Sequence, residues 1–392
     1  LGARLAEGFL PVTLPPGGSR AVVVKWAPEP GLRARQLFGH VVVTTSDETS
    51  GEIAMGVRAQ LPGPLGPLEG RVLSLLLGAP LLGALAVLLA GRASRGGVVR
   101  ARRIAIGALT VHALLALYIH RTFVPDLARI DGNDGLQFIE HGVWLRALST
   151  EVFVGVDGLG AAALLVLGLV ALLALVPDRA ASSLGPTFHA AYLVLVASCS
   201  GALVAMDGLL FVAFAAVATL AAAVLIGASS AGGHRAAVRV GLVGLLAVAL
   251  LAVAVLALGR HADPTFLVDG SRTSVTFSLP ELSRVALGAK GAKLLGGPLV
   301  KVAFSLVLVA SVALVGAFPA HRWVLSVLAS SPPAAAALVS AALPAIGAAA
   351  TAFPAPMIWA QNIKDVTLRQ FGTGVSNLNE VAQKVTEDLG FT

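Results

Sequence analysis

About eight apolar stretches, each of the length that crosses a bilayer as a helix, run along this chain of 392 residues. Inside membrane hydrocarbon every backbone amide must be bonded within the protein, so runs of Ala, Leu and Val with few turn residues span it only as helices. The interiors of these stretches contain almost no side chain that ionises. The stretches cover residues 72–90, 104–119, 159–176, 190–206, 209–227, 241–258, 299–318 and 334–352.

The composition excludes a water-soluble globular protein, since 56% of the residues are hydrophobic and only 12% are charged. The formal net charge is +7, but the basic residues lie in short loops between apolar spans, where the rule for membrane orientation accounts for them. Nucleic-acid binding is therefore not indicated. Cys199 is the only cysteine and lies within a span, so it packs as a small apolar residue. No motif for nucleophilic catalysis, phosphate binding or metal ligation occurs, and no cofactor is expected.

Residues 1–69 differ from the rest and predict a small all-β domain. Short β-branched runs at 9–14, 20–26, 39–45 and 52–59 alternate with Pro- and Gly-rich turns, which is typical of strands. The pattern resembles the immunoglobulin-like sandwich modules found outside bacterial membranes. The chain begins at Leu1 without a secretory signal, which indicates a processed or incomplete end, and a Pro/Gly linker over 62–70 precedes the first span.

The loop charges predict how the chain is oriented. Five arginines crowd the connection between the first two spans: Arg92, Arg95, Arg100, Arg102 and Arg103. This loop should therefore be cytoplasmic, which puts the β domain on the periplasmic side of a bacterial inner membrane. The acid-rich segment 126–157 falls on the periplasmic side too, whereas the basic segment 260–301 disagrees with the rule. The tail 353–392 predicts an amphipathic helix over 377–389 that packs on a partner or on the membrane surface.

Two neighbouring motifs carry a family resemblance. The segment LQFIEHGVW at 136–144, followed by FVGVDGLG at 153–160, resembles the antiporter-like M subunit of respiratory complex I, the proton-pumping NADH:quinone oxidoreductase. The segments GAPLLGA at 78–84, TFSLP at 276–280 and FPAHRW at 318–323 are similar to further parts of that subunit. The resemblance covers residues 70–352. It implies a fold of two inverted five-helix repeats, of which spans four to eight would form the first and the second is absent.

The resemblance also implies which side chains carry protons in the family. They are a glutamate on the fifth helix, a lysine in the broken seventh helix and a lysine on the eighth. Counting along this chain puts Ala216, Leu314 and Pro344 at those positions, and spans five, seven and eight contain no acidic residue. Aliphatic groups cannot gain or lose a proton, so the sequence predicts that transport chemistry has been lost.

A few polar residues remain as candidates for a proton path. The four that we single out are His321, His112, His189 and Lys301. His321 follows Pro319, which should interrupt a helix, and irregular backbone within a membrane lies against protein or water. Tyr118, His120, Tyr192 and Thr219 are weaker candidates. An intramembrane histidine more often packs with its hydrogen bonds satisfied, and Lys301 near a membrane face is expected to snorkel.

These observations predict an all-α polytopic membrane protein with a small N-terminal β domain. The favoured hypothesis is a membrane-arm subunit of a complex-I-like assembly that serves structurally, with other arm subunits and the lipid bilayer as its partners. One alternative is an active proton or cation translocator that neighbouring chains complete. Another is a membrane anchor for the β domain.

Overall fold

A computed structural model shows a bundle of long helices that run back and forth through one common layer. The structure describes residues 36–44, 52–60, 65–92, 97–124, 136–229, 233–262, 265–267, 272–284 and 291–352. The helices are α1 (Val72–Arg92), α2 (Gly97–Thr122), α3 (Gly158–Leu175), α4 (Pro186–Val204), α5 (Gly208–Gly227), α6 (His234–Arg260), α7 (Leu279–Arg284), α8 (Leu299–Val315), α9 (Arg322–Ser330) and α10 (Pro333–Ala352).

All eight predicted spans are helices, and the fold is that of a polytopic helical membrane protein. Seven of the helices in the described part of the chain are long and apolar enough to cross a membrane. The exception is α8, whose 17 residues extend about 26 Å at 1.5 Å per residue. The prediction carried this span to Phe318, but the helix ends at Val315 because Gly316 adopts a left-handed conformation with φ 74°.

The helices alternate in direction, so the bundle has two distinct ends. The strands β3 (Gln137–Leu145) and β4 (Thr150–Val156) form an antiparallel hairpin at one of them, which we term the hairpin end. Helices α1, α3, α5 and α8 begin there. Helices α2, α4, α6 and α10 begin at the other end, which we term the basic end after the exposed arginines Arg100, Arg103, Arg179, Arg235 and Arg239.

The β3–β4 hairpin was not predicted, since the sequence suggested only an acid-rich loop there. Its register is irregular, with shifts between Gln137 and Glu140 and between Val143 and Leu145. Met206 donates its backbone amide to the Phe153 carbonyl at 2.8 Å, which joins the hairpin to the end of α4. The hairpin therefore closes one end of the bundle and ties α3 to α4.

Only part of the predicted N-terminal domain lies within the described residues. The strands β1 (Gln36–Thr44) and β2 (Glu52–Gln60) pair antiparallel and match the third and fourth predicted strands. The predicted strands at 9–14 and 20–26 and the amphipathic helix at 377–389 lie outside the described residues. The linker prediction is wrong over its last residues, because Gly66–Arg71 forms a 3₁₀ helix that leads directly into α1.

Helix α4 is the centre of the bundle, and nearly all of its side chains are buried. It packs against α1, α5 and α10 and is rich in Ala, Ser and Gly, whose small side chains let helices approach closely. At Gly201 an added Cβ would lie 2.5 Å from the ring of Phe214 on α5, so the two helices meet where only glycine fits. The outward faces of the surrounding helices carry exposed Leu and Val, as expected of a surface that meets lipid.

Candidate functional site

The three positions at which the family resemblance leads us to expect charged residues lie on different helices of the bundle. Ala216 lies on α5 and is half-buried, and Leu314 lies on α8 and is 1% exposed. Leu314 packs against α10, where a Cβ added to Gly347 would lie 3.1 Å from the Cβ of Leu314. Pro344 lies inside α10 and has no amide proton, so the carbonyl of Ser340 loses its usual helical partner. Uncharged side chains thus occupy all three positions.

An apolar cavity lies among α4, α5, α6 and α8. Its volume is about 20 Å³, which is enough for about one water molecule. A buried water needs two to four polar partners, and this cavity offers almost none. Its lining residues are Ala202, Ala205, Gly208, Phe211, Leu251, Val255, Leu279 and Val307.

His112 is a fully buried histidine that joins several helices. From α2 its Nδ1 donates to the Leu76 carbonyl of α1 at 3.0 Å, and its Nε2 lies 3.4 Å from the Ser200 hydroxyl of α4. Gly168 of α3 packs on the ring, since a Cβ there would lie 3.3 Å from the His112 Cδ2. Both nitrogens are therefore engaged, and the ring fills the space where four helices meet.

His189 lies in the first turn of α4 at the basic end. Its Nδ1 donates to the Gly185 carbonyl at 3.2 Å, and its buried Nε2 has no hydrogen-bond partner in the described part of the chain. Tyr192, one turn further along, donates its hydroxyl to the Ala171 carbonyl at 2.8 Å. Thr219 on α5 is also buried and donates to the Ala215 carbonyl of its own helix at 2.9 Å.

The predicted helix break lies between α8 and α9 and is closed by internal hydrogen bonds. Gly316 and Ala317 donate their amides to the carbonyls of Ala313 and Val312 at 3.2 and 3.1 Å. Trp323, which is 2% exposed, donates its Nε1 to the Ala313 carbonyl at 2.9 Å. These bonds use carbonyl groups that a broken helix could otherwise offer to water or an ion.

His321 and Lys301 lie near helix starts rather than within the bundle core. His321 precedes α9, its ring stacks on that of Phe318 with centroids 5.8 Å apart, and its buried Nδ1 has no partner among the described residues. Phe318 itself is 83% exposed. Lys301 is exposed in the first turn of α8. The structure therefore does not bring the four candidates His112, His189, His321 and Lys301 together.

The hairpin end carries a chain of polar residues that leads to the start of α5. His141 and Glu151 form an ion pair across the hairpin, with Nε2 and Oε2 2.8 Å apart. Asp207 is 1% exposed and caps α5, since its Oδ1 accepts from the amides of Leu209 and Leu210 at 2.9 and 3.0 Å. Its Oδ2 accepts from the Glu151 amide at 3.4 Å.

Burial decides the charge state of Asp207, which precedes α5 and lies outside the spanning segments. Desolvation raises the pKa of this carboxyl to about 6, and the nearby negative charge of Glu151 acts in the same direction. Its three amide hydrogen bonds lower the pKa but do not outweigh the desolvation. Asp207 therefore titrates closer to neutral pH than an ordinary aspartate does.

Two further glutamates hold the start of α1. The Glu140 carboxylate accepts from the amides of Leu73 and Ser74 at 2.7 and 3.1 Å and also from the Ser74 hydroxyl. Glu69 accepts from the Tyr118 hydroxyl of α2 at 2.5 Å, while its other oxygen is buried without a partner among the described residues. The negative charge of an acidic side chain interacts favourably with the positive end of the helix dipole, so both glutamates stabilise α1.

At the basic end, Asp178 and Arg102 connect loops to helices. Asp178 accepts from the Ala334 amide at the start of α10 at 2.8 Å and from the Ala181 amide at 3.1 Å. Arg102 donates to the Val176 carbonyl after the end of α3 at 2.8 Å. These bonds satisfy backbone groups that a helix end leaves without partners.

Sequence reasoning missed most of these polar contacts. A local signal exists for Asp157, which precedes a glycine and an apolar run as a helix cap often does, and its Oδ1 accepts from the Gly160 amide at 2.6 Å. Sequence reasoning did not identify Glu140 or Asp178, whose partners lie 67 and 156 residues away in the sequence. Glu140 lies inside the motif at 136–144, but nothing local to it points to α1.

Solved structures of three membrane assemblies contain chains with a similar fold. One belongs to the membrane-bound sulfane sulfur reductase, an archaeal respiratory membrane complex, with a TM-score of 0.56 and 15% identity. Another belongs to respiratory complex I from Thermus thermophilus with bound NADH, with a TM-score of 0.53 and 21% identity. A third belongs to the Mrp complex from Dietzia sp. DQ12-45-1b, with a TM-score of 0.53 and 20% identity.

The three matches cover similar parts of this chain but different shares of the others. They include 74%, 72% and 71% of this chain, and 42%, 54% and 27% of the respective neighbours. This chain therefore spans about half or less of the length of each protein that it resembles. No protein-family model matches the sequence, and no curated protein does so either. The likeness shows a fold shared with membrane subunits of complex-I-like and Mrp-type assemblies.

Proposed function

We propose that this chain is a membrane-arm subunit of a complex-I-like assembly, at the position of the M subunit, and that it holds the arm together without moving ions. Its partners are the neighbouring membrane subunits and the lipid bilayer. By the charge rule for loops, the basic end faces the cytoplasm of a bacterial cell and the hairpin end, with residues 1–69, faces the periplasm. The fold shared with subunits of such assemblies supports this placement.

One observation carries the structural role: the eight long helices α1–α6, α8 and α10, all within the described residues, contain no aspartate and no glutamate. Ion carriers in membranes use side chains that change charge, held so that partners shift each other's pKa. Outside the first and last turns of these helices, the one histidine among the described residues is His112, and both of its nitrogens are engaged. The middle of the bundle is therefore built for packing.

Complementation of a deletion strain tests this role in the native assembly. Membrane vesicles are prepared from cells with the wild-type chain, His112→Gln or His120→Gln, and two quantities are measured: the amount of assembled complex and the protons moved per NADH oxidised. His120 lies on the same helix but is exposed, so it serves as the matched control. We expect His112→Gln to lower the amount of complex and to leave the proton ratio of the remaining complex unchanged.

The opposite result would contradict the structural role. If His112→Gln or His321→Ala lowers the proton ratio while the amount of complex stays at the wild-type level, the chain takes part in transport. If deletion of the chain leaves the complex fully assembled, the proposed place in the membrane arm is wrong.

A second candidate function, a translocator completed by neighbouring chains, has one observation in its favour. His141 bonds to the Glu151 carboxylate on the partly exposed hairpin, and the backbone amide of Glu151 bonds to the Asp207 carboxylate at the buried start of α5, so three titratable residues lie close together there. A neighbouring subunit could supply the missing carrier beyond this point. Under this alternative, His141→Gln in the assembled complex lowers the proton ratio, whereas under the structural role it does not.

A further inference from the structure

The basic end carries a cleft that none of the preceding roles uses. It is a shallow, open cleft along the first turns of α6, and all of the residues that line it belong to that helix. Its charged wall consists of His234, Arg235 and Arg239, and its apolar wall consists of Val238, Leu242 and Val243. The cleft is thus cationic at its outer part and apolar at its inner part.

No described residue neutralises the positive charge in this cleft. Arg239 donates to the Ser326 hydroxyl of α9, a neutral acceptor, and Arg235 has no hydrogen bond or ion pair within the described part of the chain. The one carboxylate described near this end, Asp178, is buried and already bonded to two amides. The ion pair His141–Glu151 lies at the other end of the bundle.

The start of α6 adds to the attraction for an anion. Its N-cap is Gly233, which provides no side-chain cap, so the amides of the first turn keep their positive ends available. The helix dipole favours negative charge at this point. The contribution is secondary, because the two arginines and the cleft already define the site.

Below the arginines an exposed apolar stripe continues down the same face of α6. Val238, Leu242 and Leu246 succeed one another at helical spacing and are 45%, 66% and 64% exposed. Val253 continues the stripe and is 43% exposed. A molecule with an anionic head in the cleft can therefore lay an aliphatic chain along α6 without leaving the surface of the bundle.

We propose that this cleft binds the headgroup of an anionic phospholipid, whose phosphate lies between Arg235 and Arg239 and whose acyl chain packs on the Val238, Leu242 and Leu246 stripe. A soluble anion would contact only the charged wall. A zwitterionic lipid carries no net charge, so its headgroup would not balance the charge of the two arginines. The site is independent of whether the chain moves ions. It would fix the rotation of α6 in the cytoplasmic leaflet, where anionic lipids bind basic residues near the surface.

Lipid retention by the purified full chain tests the site. Wild type, Arg235→Gln/Arg239→Gln and the control Arg100→Gln/Arg103→Gln are stripped of lipid in detergent and titrated with phosphatidylglycerol or phosphatidylcholine, and bound lipid is counted by native mass spectrometry. The control removes the same charge from exposed positions of α2 at the same end. We expect the Arg235/Arg239 variant to bind phosphatidylglycerol about 20-fold more weakly, with wild type and control alike.

A charge-conserving variant and a crosslink complete the test. Arg235→Lys/Arg239→Lys keeps both positive charges and should bind within about threefold of wild type. A photoreactive acyl chain should label the α6 stripe at Leu242. The proposal would be overturned if both glutamine variants lost the same affinity, or if wild type bound the two lipids equally well. It would also be overturned if inorganic phosphate displaced the lipid, or if position 242 were covered by a neighbouring subunit in the assembled complex.

Discussion

The middle of the bundle and its two ends are built from opposite chemistry. In the middle, α4 is surrounded by aliphatic side chains, the cavity beside it is apolar, and Leu314 occupies a position where the family resemblance expects a lysine. At the ends, carboxylates bind backbone amides: Glu140 at the start of α1, Asp207 at the start of α5 and Asp178 at the start of α10. Charged side chains lie where they join helices at the two ends, and the middle of the bundle is built from uncharged ones.

This difference indicates that the fold does not need charged side chains in its middle in order to be stable. An unpaired charge in hydrocarbon costs several kcal/mol, so a transporter keeps it only for function. The free-energy cost of burying a carboxylate at a helix start is offset by its hydrogen bonds with the backbone amides there. Loss of transport would therefore remove the first kind of residue and leave the second, which is the distribution that this chain has.

The largest expected effect comes from returning a charge to the middle. Leu314→Lys puts an ammonium group at a position that is 1% exposed and packed against Gly347, so we expect the free energy of unfolding to fall by about 5 kcal/mol. Leu314→Met, which conserves volume and adds no charge, should lose less than about 1.5 kcal/mol. Equilibrium unfolding in mixed micelles measures both. Equal stability of the two variants would show a hydrated interior and contradict the contrast.

The next largest loss of stability is expected at the helix break, because the hydrogen bonds that close it leave no opening for water into the apolar middle. Trp323→Ala removes a 2% exposed side chain and its bond to the Ala313 carbonyl, and should cost about 4 kcal/mol. Trp323→Phe keeps much of the packing and loses the bond, so about 1 kcal/mol is expected. Thermal unfolding of both variants checks this order. A Trp323→Ala protein as stable as wild type would show that the break is open.

Much of the middle could be predicted from the sequence, because its signals are local. The eight spans follow from apolar length. Pro319 pointed to the break between α8 and α9. The sequence did not give the actual end of α8, since the left-handed Gly316 looks like any other glycine in an apolar run.

The ends were harder to predict because their bonds join distant residues. Nothing near Glu140 indicates that it binds the amides of α1, and Asp178 reads as a loop residue although it caps α10. The β3–β4 hairpin was missed since its register is irregular, with two shifts that interrupt the pairing of its strands. The candidates His112 and His321 were found by residue type, but only packing shows that one is enclosed by four helices and the other lies beside α9.

At the hairpin end, Asp207→Ala should have an intermediate effect. It leaves the amides of Leu209, Leu210 and Glu151 without their acceptor at a buried site, so we expect a loss of about 2 kcal/mol. Asp207→Asn keeps one carbonyl oxygen for the two α5 amides and should lose less than about 1 kcal/mol. Unfolding measurements at neutral pH compare the two. If both variants lose the same amount, the cap is not what holds α5 at this end.

The smallest expected effect is a pH dependence of the free energy of unfolding, which the Asp207 carboxyl causes. Burial raises the folded-state pKa of Asp207 to about 6, above its ordinary value, so protonation stabilises the folded state. That stability is fully present below about pH 4, the unfolded pKa, and is lost as the pH rises through about 6. Between pH 7 and pH 5 the wild type should therefore gain about 1 kcal/mol relative to Asp207→Asn. Asp207→Asn leaves the residues of the His141–Glu151 pair in place, so the two proteins differ only at position 207. If the difference in unfolding free energy between the two proteins is the same at pH 7 and pH 5, Asp207 is better solvated than its 1% exposure indicates. The buried carboxylate on which the comparison of the ends with the middle depends would then be in contact with water.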